Sequence, residues 1–292
     1  MQIIINLIMK FLFNLLSILL LFGLIACSKN DEDELNYSDF DFKISLRSST
    51  NLGELHNDFL KNFFLDYDTT VNYSYDTLFF LAEDYCYDEN FSVSNLRYFT
   101  DLKNNLQEDL NTIGAQNSID SLIEMYKGTI NDLYNDSIIC QNVKLELLKI
   151  PNLIQTQSTS ISSWDTLQFQ TLTVCLNAFD SLYVTQLFSI SSYSHSFWKS
   201  EYGLLTLTNP HLSDLDSPSA ITFILNDVYG AATGFAGFCV AHRDEICGGA
   251  WTDAVPESEF YEMCGVTLFS AGASSAGGPL IGRFKRFMNW IN

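Results

Sequence analysis

The sequence predicts a mainly α-helical protein, a helical bundle followed by a Gly/Ala-rich C-terminal helical segment. Amphipathic stripes with apolar residues three and four apart carry the first part of that expectation, and two uncharged runs crowded with small residues carry the second. A third observation agrees with both. The chain has no internal repeat and no series of short alternating runs divided by hairpin turns, the patterns of propellers and sandwiches.

The first helix is expected at Asn51, where Glu54 three residues later makes a capping-box pattern and Leu52, Leu55, Phe59 and Phe63 recur on one face. Leu96, Phe99, Leu102, Leu106, Leu110 and Ile113 form a second stripe that stops at the breaker Gly114. A third begins near Ser118, with Ile119, Leu122, Tyr126, Ile130 and Leu133 on one face, and the short link from Gly114 to Asn117 implies an antiparallel helical hairpin. Pro151 is expected to end the apolar run from Val143 to Ile150, and the Ser/Thr/Gln stretch from Gln155 to Ser163 reads as a loop. Leu172, Cys175, Phe179 and Leu182 suit one helix starting near Asp165, with a strand as the alternative because threonines and valines are frequent here.

The composition changes after Pro210 and Pro218, which sets a boundary near residue 212 between a helical domain, 51–211, and a Gly/Ala-rich segment, 212–292. Val228 to Ala241 and Gly265 to Gly282 both lack charge, and glycines 230, 234 and 237 share a helix face that lets another backbone approach closely. Neither run reaches the roughly 20 residues that span a bilayer, so the segment is expected to pack within the protein. Asn226 and Asp227 ahead of the first run, and Arg243, Asp244 and Glu245 after it, suit water-exposed turns. The end of the chain, Arg283 to Phe287 with Trp290, combines basic and aromatic residues as membrane-interface helices do, and it supports the alternative that the tail inserts into a membrane.

The N-terminus carries an address. Lys10 is the only charge ahead of an apolar run from Phe11 to Ile25, the anatomy of a signal peptide, assigned to residues 1–26. Leu24-Ile25-Ala26-Cys27 resembles the bacterial lipobox, which implies diacylation of Cys27 and cleavage before it. An uncleaved transmembrane anchor is the alternative, because Ile3 to Met9 lengthens the apolar stretch enough to cross a bilayer. Residues 27–50 read as an acidic tether and linker, starting with the run Asp31-Glu32-Asp33-Glu34. That run resembles the export signal of Bacteroidota surface lipoproteins, which implies the outer face of the outer membrane.

Composition bounds the rest. Of 292 residues, 47% are hydrophobic and 17% charged, enough apolar material for a packed core. The formal net charge of -20 excludes nucleic acid as a partner, since the only basic cluster is Arg283, Lys285 and Arg286.

Several residues are candidates for chemistry. His56 falls at the apolar border of its helix; a hydrogen-bonded structural histidine is the plainer reading, a catalytic or ligand role the other. Cys239, His242, Cys247 and Cys264 together supply the donors of a tetrahedral zinc site, although the spacing is irregular for known zinc modules. In an exported chain the same cysteines compete for disulfides, and the six beyond Cys27 allow up to three bridges of unreadable pairing. Cys239 beside His242 also permits a thiolate nucleophile. Gly272-Ala273-Ser274-Ser275-Ala276 falls one residue short of a nucleophile elbow, and no histidine follows His242 to serve it. There is no phosphate loop, zinc-protease histidine pair or calcium loop, and no cofactor is implied.

The lipobox, the acidic tether, Gly53-Glu54-Leu55-His56-Asn57 at the first helix, and Asp227-Val228-Tyr229-Gly230-Ala231-Ala232 leading into the tail together resemble a group of uncharacterised Bacteroidota lipoproteins. The resemblance implies a palmitate-bearing envelope protein and supplies no activity. The tail also resembles the Gly/Ala-rich peptides of bacteriocins, interrupted by Arg243, Asp244 and Glu245. The sequence therefore favours non-enzymatic binding of an unknown protein or small molecule at the cell surface. An envelope enzyme or metal-binding protein using the Cys/His cluster, and a membrane-active antagonist acting through its tail, are the alternatives. Cys27→Ala is expected to abolish labelling by radioactive palmitate and membrane retention; continued labelling refutes the lipid assignment. Alanine at Asp31, Glu32, Asp33 and Glu34 is expected to lower protease accessibility on intact cells while lipidation persists.

Overall fold

The computed structural model describes residues 51–66, 73–116, 119–156, 161–175, 177–201 and 220–291, and among these the chain is helical with no strand. The expected signal peptide, Cys27 with its tether, and the boundary near residue 212 lie outside the described residues. The elements are α1 (Leu52–Leu65), α2 (Tyr75–Asp88), α3 (Phe99–Gln116), α4 (Ile119–Asn135), α5 (Gln141–Leu147), α6 (Ile150–Gln155), α7 (Ile161–Leu172), α8 (Ala178–Ser196), α9 (Ala220–Ala241), α10 (Arg243–Cys247) and α11 (Glu257–Ile291). A π-helical turn, Phe197–Glu201, continues α8.

Local signals set most helix starts. Asn51 accepts from Glu54 N at 3.3 Å, as the capping-box pattern requires, and Ser74 and Asn177 cap α2 and α8 in the same way. Each such cap contributes about 1 kcal/mol. The expected stripes are buried: Phe59 and Phe63 on α1, Leu102, Leu106 and Leu110 on α3, and Leu122, Tyr126, Ile130 and Leu133 on α4. α3 runs two residues past Gly114, to Gln116. Three expectations change. Pro151 opens α6 in its first turn, where its missing N–H is no loss. The helix expected from Asp165 through Leu182 is two helices, because α7 ends at Leu172 and Asn177 starts α8 by accepting from Asp180 N at 2.7 Å. The loop expected from Gln155 to Ser163 gives way to α7 at Ile161.

The centre of the bundle is the antiparallel pair α9 and α11. Gly230 faces Ser270 and Ser274, and Gly234 faces Val266 and Ser270; a Cβ at either glycine would fall on the backbone oxygen of α11. The third glycine of the expected face, Gly237, meets Leu102 of α3 instead. α1, α2 and α3 pack on α11, while α4, α6 and α8 pack on α9. Among the described residues α9 is the one helix long and apolar enough to cross a membrane, and most of it is buried inside the protein. Buried aromatics fill the space around the pair: Tyr183 stacks on Phe235 at 3.6 Å, and Trp198 on Phe223 at 4.0 Å.

Gly230→Leu is expected to destabilise the fold by about 1–3 kcal/mol, since overpacking here pushes one helix backbone off another. Gly128 on α4 has open space where a Cβ would sit, so Gly128→Ala is expected to stabilise by about 0.5–1 kcal/mol. Urea unfolding of both variants reads the contrast; equal effects would contradict the close crossing.

Candidate functional site

His56 lies on the buried face of α1, fully enclosed, with Ser275 of α11 and Asp227 of α9 against its ring. Ser275 Oγ on α11 is 3.1 Å from His56 Nε2 and also hydrogen-bonds Asp227 Oδ1 on α9. Asp227 Oδ2 accepts from Ser194 Oγ on α8 at 2.5 Å and from Trp198 Nε1 in the π turn at 2.7 Å. His56 Nδ1 is 3.4 Å from Asn57 Oδ1, and Asn57 Nδ2 donates to Tyr193 O at 3.0 Å. Asn226 and Asp227, expected in a water-exposed turn, are therefore buried inside α9; Arg243, Asp244 and Glu245 are exposed, as expected.

Burial lowers the pKa of His56 to about 4, only partly offset by the hydrogen bond with Asn57. Burial also raises Asp227 well above the carboxylate range, against the opposing pull of Ser194 and Trp198. His56 is therefore neutral at pH 7, and the shift on Asp227 favours its protonated form. Ser275 Oγ donates to Asp227 Oδ1, and its oxygen can accept from His56 Nε2–H, so the serine bridges imidazole and carboxyl. Ser275 Oγ and, at 3.7 Å, Asp227 Oδ2 both approach His56 Nε2, unlike a hydrolase triad, where the histidine gives one ring nitrogen to the serine and the other to the carboxylate. His56, Ser194, Asp227 and Ser275 are all buried, and together they act as a polar clamp between α1, α8, α9 and α11.

The zinc expectation for Cys239, His242, Cys247 and Cys264 is not met by the geometry. Among the described residues no group of three or more His, Cys, Asp or Glu side chains converges to hold a metal ion. Cys264 is buried in α11, and exposed Cys247 donates to Asp136 O. His242 Nε2 pairs with Glu262 Oε1 at 2.8 Å, which also accepts from Tyr98 at 2.8 Å. That hydrogen bond raises the His242 pKa, while burial and then Cys247 push the Cys239 thiol well up. A protonated thiol and an engaged imidazole remove the nucleophile reading as well. The six described cysteines are all free thiols.

A cleft of about 840 Å³ opens between α3 and α4, floored by α9. Leu102 and Asn105 form part of one wall, Met125 and Thr129 part of the other, and Tyr229, Thr233 and Gly237 part of the floor. Five carboxylates line it, Asp101, Glu108, Asp109, Asp132 and Asp136, against one cation, Arg243. Arg243 is already paired with Asp136 at 3.1 Å. Asp109 is raised above the usual carboxylate range by burial, moderated by its hydrogen bond with Tyr229. The cleft was missed in the sequence because four of its acids sit on two separate helices and Asp136 just beyond the second, where each reads as solvated surface.

No protein family, curated protein or solved structure matches this chain.

The relay makes a signed prediction. His56 is lowered from 6.5 to about 4, so the unfolded chain binds the extra proton in that window, and the stability this represents is present above pH 6.5 and lost as pH falls toward 4. Asp227, raised above 3.8, contributes the opposite slope, with stability lost as pH rises toward its folded pKa. Asp227→Asn keeps an acceptor for Ser194 and Trp198 and offers its amide N–H to the Ser275 oxygen, so it is expected to fold and to gain stability as pH rises. Asp227→Ala orphans those partners and is expected to lose about 1–3 kcal/mol. Denaturant titrations across pH distinguish these outcomes from a buried ion pair, for which Asp227→Asn would cost about 3–5 kcal/mol.

Proposed function

We propose that this chain is a lipid-anchored cell-surface binding protein, held to the outer membrane through Cys27, whose acidic cleft takes a small organic polycation. The observation that carries the ligand class is the cleft's charge. Its five lining carboxylates face a single arginine that Asp136 already engages. Carboxylates spread along two helix faces without converging suit a ligand with several separated ammonium groups better than one metal ion. The volume falls in the range of small-molecule sites, and Tyr229 and Tyr98 add ring faces that attract cations.

The exported, lipid-anchored reading rests on the lipobox at Cys27 and the acidic run behind it. It agrees with a net charge of -20, which draws cations from a distance in low salt. Binding is favoured over catalysis because the His/Ser/Asp grouping is sealed and the Cys/His residues are dispersed. The membrane-active reading loses its main support because α9 and residues 263–276 of α11 are committed to the bundle centre. The side chains of Arg283, Lys285, Arg286 and Trp290 lie outside the described residues.

Calorimetric titration with spermine tests the ligand class. Binding is expected at low ionic strength and is expected to weaken as salt rises. Asp101→Asn with Asp132→Asn, both exposed on the cleft rim, is expected to weaken it about 2- to 30-fold, from about 0.2–1 kcal/mol for each solvated charge pair. Absence of spermine binding to the unaltered protein at low salt, or undiminished binding by the double variant, would overturn the cleft as the site.

A further inference from the structure

Cys140 stands at the N-cap position of α5, with extended backbone (φ -78°, ψ 163°) and no capping hydrogen bond from its side chain. Its thiol points to the turn that follows α7, where Sγ donates to Val174 O at 3.8 Å. Val174 O belongs to the peptide group that joins Val174 to Cys175. By standard peptide dimensions that oxygen is about 3 Å from the next Cα, so the Cys140 sulfur lies within about 7 Å of the Cys175 Cα. Cys175 is three residues beyond the end of α7, and its own thiol donates back to Thr171 O at 3.4 Å. Rotation about its χ1 swings that sulfur away from Thr171.

We infer that Cys140 and Cys175 are the redox-active pair of this protein and close an intramolecular disulfide that ties the start of α5 to the end of α7. The two positions differ from the other four thiols in ways that matter for this chemistry. Cys86, Cys239 and Cys264 are buried within continuous helices, where neither an oxidant nor a backbone adjustment has room, and the exposed Cys247 thiol is directed at Asp136 O. Cys140 and Cys175 are half-buried and sit at helix ends. There the flanking turns can make the small shift that brings the two Cα atoms into the 4.4–6.8 Å span of a disulfide. Burial first, then Asp180, and in smaller part Cys140 push the Cys175 thiol up to about 12, against the hydrogen bond with Ser181.

The step balances as thiol–disulfide exchange. One cysteine thiolate attacks a sulfur of a small-molecule or protein disulfide and releases one thiol. The second cysteine then attacks the mixed disulfide, forms the Cys140–Cys175 bond and releases the second thiol. Two protein thiols are oxidised and one external disulfide is reduced to two thiols. The bond encloses the segment from 141 to 174, which removes chain entropy from the unfolded state and stabilises the packing of α5 on α7. Formation in the cell rests on the exported reading, because an oxidising compartment supplies the disulfide. Formation in a defined redox buffer does not.

The test uses the full chain, purified in mild detergent and equilibrated with glutathione and glutathione disulfide over a range of ratios, followed by alkylation and peptide mass mapping. The expected result is simultaneous loss of alkylation at Cys140 and Cys175, a cross-linked peptide containing both, and continued alkylation of Cys86, Cys239, Cys247 and Cys264 in unfolded samples. Cys140→Ser is expected to restore alkylation of Cys175, and Cys175→Ser that of Cys140. Oxidation is expected to raise the thermal midpoint of the unaltered protein and leave both variants unmoved. Persistent alkylation of both thiols at the most oxidising ratio, or a cross-link from either to another cysteine, would overturn the inference. If the bond forms in this buffer but is absent from protein taken directly from the envelope fraction under acid quench, the pairing stands and the exported reading is what fails.

Discussion

The close crossing of α9 and α11 is the constraint on which the rest of the structure depends. Gly230 and Gly234 leave no side chain between the two backbones, so serines and alanines of α11 lie directly against α9. Helices this close leave little room for large apolar side chains between them, and much of the apolar area is buried on their outer faces, against α1, α2, α3, α4, α6 and α8. The pair is therefore both the core and the surface on which the other helices are organised. The floor of the acidic cleft is the face of α9 that looks out between α3 and α4.

A small-residue crossing has weak directional preference, because small side chains interlock in several registers. The relay supplies the missing specificity. Asp227 on α9 fixes the register of α11 through Ser275, of α8 through Ser194 and of the π turn through Trp198; Ser275 passes the connection to His56 on α1. Four helices meet at one buried chain of hydrogen bonds. A slip of any helix by one residue would strand a polar group in the core at a cost of about 1–3 kcal/mol. The π turn at Phe197–Glu201 fits this role, since it turns the Trp198 indole N–H toward Asp227.

Regular periodicity was legible in the sequence and irregularity was not. The stripes of α1, α3 and α4 could be read because one face is apolar and the other solvated. α2 escaped notice because its Tyr, Phe and Cys residues spread around the helix, with Phe80 and Tyr87 exposed while Leu78 and Cys86 are buried. The break between α7 and α8 was hidden because Leu172, Cys175, Phe179 and Leu182 keep helical spacing across it, and the stop signal is a lone Asn177 cap. His56 was legible as a buried, hydrogen-bonded histidine. Its partners were not, since Asp227 looked like a solvated boundary residue; a carboxylate placed directly before a long uncharged small-residue run was the available signal. The zinc grouping failed for a related reason: proximity in sequence put Cys239 and His242 on one stretch, yet the helix turned the thiol inward and the imidazole toward Glu262.

The functional reading inherits this architecture. A rigid central pair lets α3 and α4 stand apart over α9 without collapsing onto each other, which is what keeps an acidic cleft open in a chain of such negative charge. Native-state hydrogen exchange followed residue by residue tests the central claim most directly, because it ranks elements by the free energy of their opening. The slowest amides, exchanging only by global unfolding, are expected in α9 and in residues 263–276 of α11, with α10 opening far more readily. Faster exchange in α9 and α11 than in α3 or α4 would contradict a fold built on their crossing.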